Sequence, residues 1–183
     1  MGQKFAVLSE RHIDFIASQK IFFVGTASAE SRVNVSPKGM DSFRVLGEDR
    51  VAWLNVTGSG NESSAHVQQD PRMTLMFCAF EGSPLILRIY GEAKVVHRGD
   101  EDWEDLYRLF TPLPGARQIF DVSIDLVQTS CGMGVPFFSY SGERESLNEW
   151  ARKKGDDGLR RYWAEKNGVS LDGFPTGIVE KSG

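Results

Sequence analysis

The sequence predicts a mainly β protein with helices (α+β), built on an antiparallel sheet that closes on itself. Two observations lead there. From Ile21 onward, short runs rich in β-branched and aromatic residues alternate with clusters of Gly, Pro, Asp, Glu and Ser, the punctuation of strands and turns. Most of those turns are too short to carry the chain back for parallel pairing, so strands adjacent in sequence should pair antiparallel. A hydrophobic content of 40% and a charged content of 25% are ordinary for a globular protein and argue against wholesale disorder. With 183 residues, the chain can bury a substantial core as one domain.

Ser9 is placed to cap a short helix through about Gln19, with Ile13, Ile16 and Ala17 on one face. A strand over 21–29 and the polar turn Glu30-Ser31-Arg32 lead to a second strand over 33–36. Segments 42–46 and 50–56 flank Gly47-Glu48-Asp49 in the shape of a hairpin. A short helix runs from Asn61, its cap, to Gln69 and closes at Asp70-Pro71. Segments 72–80 and 85–96 are the most apolar strands, which predicts burial on both of their faces. Residues 100–110 have helical spacing, with Trp103, Leu106, Tyr107 and Phe110 in one stripe. A last strand over 117–128 precedes a charged helical extension from about residue 143, which Gly155 and Gly158 should divide.

Several function classes are excluded. The formal net charge is −4, so nothing draws nucleic acid to the whole molecule and any phosphate site must be local. Cys78 and Cys131 lack metal-ligand spacing, as do His12, His66 and His97, so no metal site and no disulfide framework are predicted. No Gly-x-Ser-x-Gly elbow organises a serine nucleophile. No apolar run has the length of a signal peptide or a membrane span. The expectation is a soluble, cytoplasmic protein with no nucleic-acid or membrane partner.

Two segments carry the chemistry. In Val33-Asn34-Val35-Ser36-Pro37-Lys38-Gly39 a strand ends on a lysine. In Asn55-Val56-Thr57-Gly58-Ser59-Gly60-Asn61-Glu62-Ser63-Ser64-Ala65 a strand runs through a glycine-hinged loop into a helix. Side by side they would gather a cation, unpaired backbone N–H groups and hydroxyls, the donor set a phosphate requires. Alone, Lys38 reads as a solvated edge lysine, and Gly58-Ser59-Gly60 reads as a turn using positive φ. Together they read as an anion cradle, provided that Glu62 points away. Alternation turns either Asn34 and Ser36 or Val33 and Val35 outward. The pattern is either ordinary for a half-exposed sheet or a polar edge offered to a cofactor ring.

On these residues the chain resembles the pyridoxamine 5′-phosphate oxidase-like family of FMN-binding split barrels. The likeness covers about 22–96 and extends more weakly to about 128. Three blocks carry it: 33–41, where Lys38-Gly39 precedes Asp41; 51–65, leading into Ala65-His66; and Asp70-Pro71-Arg72 with the apolar 75–77. The resemblance implies an antiparallel six-stranded split barrel and a homodimer, with FMN and a small-molecule substrate at the subunit interface. It implies FMN contacts from Val33, Asn34, Val35, Ser36 and Lys38, from Asn55, and from Ser63 and Ser64. The cradle reading adds Ser59, Gly60 and Asn61.

The chain also departs from the pattern. Ser63 and Ser64 follow a longer loop where relatives place basic residues on the phosphate. Ile86 stands where the oxidase proper turns a glutamine to the flavin, and its C-terminal arginine-x-histidine motif has no counterpart. These departures argue against pyridoxine phosphate as substrate. The expected function is an FMN-dependent oxidoreductase. The alternative is a non-catalytic flavin- or haem-binding protein on the same scaffold.

Overall fold

The computed structural model describes residues 2–182. Its strands are β1 (Gln3–Phe5), β2 (Phe22–Thr26), β3 (Asn34–Lys38), β4 (Phe43–Val45), β5 (Arg50–Val56), β6 (Arg72–Cys78), β7 (Ile86–His97) and β8 (Ala116–Ser130). The helices are α1 (Glu10–Ser18), α2 (Glu62–Gln69), α3 (Trp103–Tyr107), α4 (Ser146–Tyr162) and α5 (Ile178–Lys181), with a π-turn over Trp163–Asn167. All strand pairs are antiparallel, in the order β3-β2-β6-β7-β8-β5-β4.

The six strands that the resemblance implies are corrected to eight among the described residues. The long β8 explains the difference. One of its edges takes β7 along its whole length, while the other takes β5 on the first half and β1 on the second, with Phe5 opposite Val127. A three-residue strand such as β1 has no alternation to betray it.

The sheet curls into a half-barrel. Its two end strands, β3 and β4, are consecutive in the chain. Phe43 of β4 packs edge-on against Phe22 and Phe77, with ring centroids 5.0 and 5.1 Å apart. Trp53 and Phe120 stack at 4.3 Å in the centre, among Val24, Leu75, Leu87 and Ile89. On the opposite face, Trp103, Leu106 and Phe110 cover Ala52, Leu54, Val96 and Ile119. Two-sided burial therefore belongs to β5, whose residues Val51 to Asn55 are all buried, and to the start of β8, whereas β6 and β7 largely alternate. The expectation for segments 72–80 and 85–96 is corrected accordingly: the small patch under α3 decides which strand is enclosed, not the apolarity of the run.

Helix α1 begins with a reciprocal cap. The Ser9 hydroxyl accepts from the His12 N–H, and the His12 ring accepts from the Ser9 N–H at 3.1 Å. In α4 only Gly155 breaks the helix, at φ 65°. Ala151, Leu159, Trp163 and Ile178 form a separate small core in the tail. The Trp163 indole N–H ties that core to β5 by donating to the Thr57 hydroxyl at 2.8 Å. No helix among the described residues is long and apolar enough to cross a membrane.

Candidate functional site

Pairing brings the two phosphate-reading segments together. Thr26 of β2 lies opposite Asn34 of β3, and α2 seats its first turn on both. The Ser63 hydroxyl accepts from Thr26 Oγ1 and from Asn34 Nδ2, each at 3.3 Å. The alternation in β3 is also resolved. Asn34, Ser36 and Lys38 are half-buried, while Val33 and Val35 point away at 74% and 65% exposure. The polar set faces in and the valines face out, so only the backbone of Val33 and Val35 shares the inner side.

The loop between β5 and α2 is held from behind. Asn167 Nδ2 donates to the carbonyls of Gly58 and Ser59 at 3.2 and 3.4 Å. Arg117 Nη2 donates to the carbonyl of Gly60 at 2.8 Å. In a trans peptide the carbonyl of one residue and the N–H of the next point in opposite directions. Three carbonyls drawn inward therefore turn the N–H groups of Ser59, Gly60 and Asn61 outward. Ser59 and Gly60 are exposed, and no protein acceptor takes these three N–H groups among the described residues. A carbonyl that accepts also polarises its peptide, which strengthens the opposing donor.

Charge points the same way. Arg117 is 3% exposed, and its second amino group donates to Asn167 Oδ1 at 2.7 Å. Burial pushes its guanidinium down to about 9. Burial, with the nearby Arg117 charge as the smaller cause, pushes Lys38 down to about 8. The Lys38 ammonium sits 5.3 Å from the centre of the Trp53 ring. Neither cation has a carboxylate partner among the described residues. Two neighbouring cations without an acid, one half-buried and one buried, are costly, and a bound anion relieves that cost.

Other expected residues fall elsewhere. Ser64 is fully buried: its hydroxyl donates to the Thr176 carbonyl at 2.7 Å and accepts from Gln118 at 2.9 Å. It faces the tail rather than the open side of the loop. Asn61 precedes α2 but makes no side-chain cap; its amide donates to the Asn167 carbonyl at 3.5 Å. Asn55 is enclosed, its carboxamide 3.2 Å from that of Gln118 and 3.3 Å from the Arg117 guanidinium. Gly60 does not use positive φ, and a Cβ there would only touch the Glu62 carboxylate at 3.4 Å, which corrects the hinge expectation. The Glu62 carboxylate accepts from the Leu171 N–H at 3.0 Å while staying beside Gly60. Ser36 makes no side-chain hydrogen bond among the described residues.

Sequence reasoning missed Arg117 and Asn167. An arginine opening a strand and an asparagine in a charged tail carry no local signal. One open cavity of about 580 Å³ is lined by Lys94, Asp100, Asp102 and Lys181 and contains none of these residues. A second cleft of about 410 Å³ opens past the Lys38 end of β3, between α1 and β4, floored by Phe22, Phe43 and Phe77.

Comparison with known proteins now decides the family. The pyridoxamine 5′-phosphate oxidase sequence profile matches residues 8–131. The chain belongs to the pyridoxamine 5′-phosphate oxidase family. A pyridoxamine 5′-phosphate oxidase family protein of Aspergillus flavus, ustO, is 33% identical, over 92% of this chain and 75% of its own length. Among solved structures, a candidate pyridoxamine 5′-phosphate oxidase from Lactobacillus delbrueckii aligns with a TM-score of 0.54 at 21% identity, over 67% of this chain and 94% of that one. HupZ of Group A Streptococcus gives 0.51 at 16% identity, over 65% and 91%. At these identities the structural likeness is one of fold. The pyridoxamine 5′-phosphate oxidase match takes in Lys38, the loop and Arg117, but ends before the tail that carries Asn167.

Proposed function

We propose that this chain binds FMN where β3 meets the β5–α2 loop and works as a flavin-dependent oxidoreductase on a small-molecule substrate. The observation that carries the reading is a pair of neighbouring cations without an acid, the half-buried Lys38 and the buried Arg117, the second of which holds a loop whose amides face outward. Ser59, Gly60 and Asn61 would hold the phosphate through their N–H groups, with the two cations as counter-charge. Asn34, Ser36 and the β3 backbone would meet the ribityl chain and ring edge. FMN, when bound, supplies hydride or single-electron transfer, so the chain's work is to bind, orient and tune it. A homodimer fits the outer edge of β3, the last strand of the sheet, with its two exposed valines.

The test is titration with FMN and with riboflavin, which lacks the phosphate. Wild type should bind FMN and show a flavin spectrum, with FMN recovered by mass spectrometry after denaturation. Lys38→Gln should weaken FMN by about tenfold or more, the scale of one charge-assisted contact, and leave riboflavin unchanged. A wild-type protein that binds neither flavin would refute the reading.

A further inference from the structure

We infer that the C-terminal tail sets the phosphate loop, with Asn167 as the positioning residue that turns the Ser59 and Gly60 amides outward. The inference rests on the flavin-phosphate reading above and concerns a segment outside the family match, which ends at residue 131. Asn167 is wholly buried and uses its whole side chain. Its oxygen accepts from Arg117 at 2.7 Å, and its amide donates to the Gly58 and Ser59 carbonyls. Its own carbonyl accepts from Thr176 Oγ1 at 2.5 Å.

The tail grips both ends of the same loop. Before it, Trp163 donates to the Thr57 hydroxyl, which in turn donates to the Gly115 carbonyl at 2.7 Å. After it, the Thr176 carbonyl takes the Ser64 hydroxyl, and the Leu171 N–H takes the Glu62 carboxylate. That last contact fixes the Glu62 carboxylate on the tail. Asn167 takes the loop's carbonyls and the flanking contacts take side chains at its two ends, so the tail acts as a brace rather than a ligand. Gly58 and Gly60 have no side chain to hold the loop. Fixing it before the ligand arrives removes the ordering entropy from the binding step.

The experiment measures FMN and riboflavin affinities for wild type, Asn167→Ala and Asn167→Asp. The aspartate keeps the oxygen that accepts from Arg117 but loses the amide that holds two carbonyls, and it supplies Arg117 with a neutralising charge. FMN affinity should fall at least tenfold in both variants while riboflavin stays within about twofold. Unchanged FMN affinity, or an equal loss for both flavins, overturns the inference and leaves FMN binding standing. Hydrogen exchange on wild type decides the matter even if a variant fails to fold. Residues 163–176 should be protected before any ligand is added, and FMN, but not riboflavin, should slow exchange further in 58–63. Rapid exchange of 163–176 in the ligand-free protein overturns the brace, and a wild type that binds no flavin overturns brace and flavin reading together.

Discussion

Lys38 ends a strand in front of a glycine, and that placement made it legible as a candidate cation. Its neighbour Arg117 was not legible, because what makes it unusual is enclosure by partners such as Gly60 and Asn167, 57 and 50 residues away. The Lys38 environment has a measurable consequence. Its pKa of about 8 in the folded protein lies below the usual 10.5, so its proton is lost as pH rises through that value, and a bound phosphate favours the protonated form. FMN affinity should therefore hold between about pH 7, where the phosphate is largely dianionic, and about pH 8, and fall above it, whereas riboflavin affinity should not. Parallel titrations of the two flavins across that range check the point, and identical profiles would remove Lys38 from the phosphate's neighbourhood.

At the scale of elements, strands and turns were readable where alternation and Gly/Pro punctuation agree. Segment 50–56 is β5 to the residue. Elements defined by tertiary support were not. Helix α3 closes after Tyr107, because its stripe of aromatics covers a small patch and the following residues turn under Phe110. The far ends of β7 and β8 enclose another buried base. His97 is fully buried, with Nε2 unpartnered and Nδ1 3.5 Å from the Gln118 amide. Burial lowers it to about 4, a shift opposed by Asp100 and Glu180 and aided by Lys181. The unfolded chain takes up this proton near the ordinary value of 6.5 and the folded protein only near 4, so stability is lost as pH falls across that window. His12, also lowered, adds in the same direction. The melting temperature of His97→Gln should decline less than that of wild type between pH 6.5 and 4. Parallel melting curves would show that His97 is not the group that titrates.

At the scale of the whole molecule, the half-barrel was anticipated from sequence, while the way its tail locks onto the loop was not. Such locking runs through Trp163, Asn167 and Thr176, each of which reads locally as an ordinary residue in a polar stretch. The open edge of β3, with Val33 and Val35 bare to solvent, predicts self-association. Light scattering should find wild type as a dimer, and the double substitution Val33→Glu, Val35→Glu should give monomers. A monomeric wild type would exclude a site shared between subunits.

A π-turn is a helix carrying one residue more than α geometry allows, and here it spans Trp163–Asn167. Deleting any single position inside it would remove that extra residue and redraw the turn that carries Asn167. The carboxamide would leave the guanidinium, and the threonine hook would miss its carbonyl. A lone substitution there dims one contact, whereas a one-codon loss detunes the whole latch. In this stretch, spelling is freer than length.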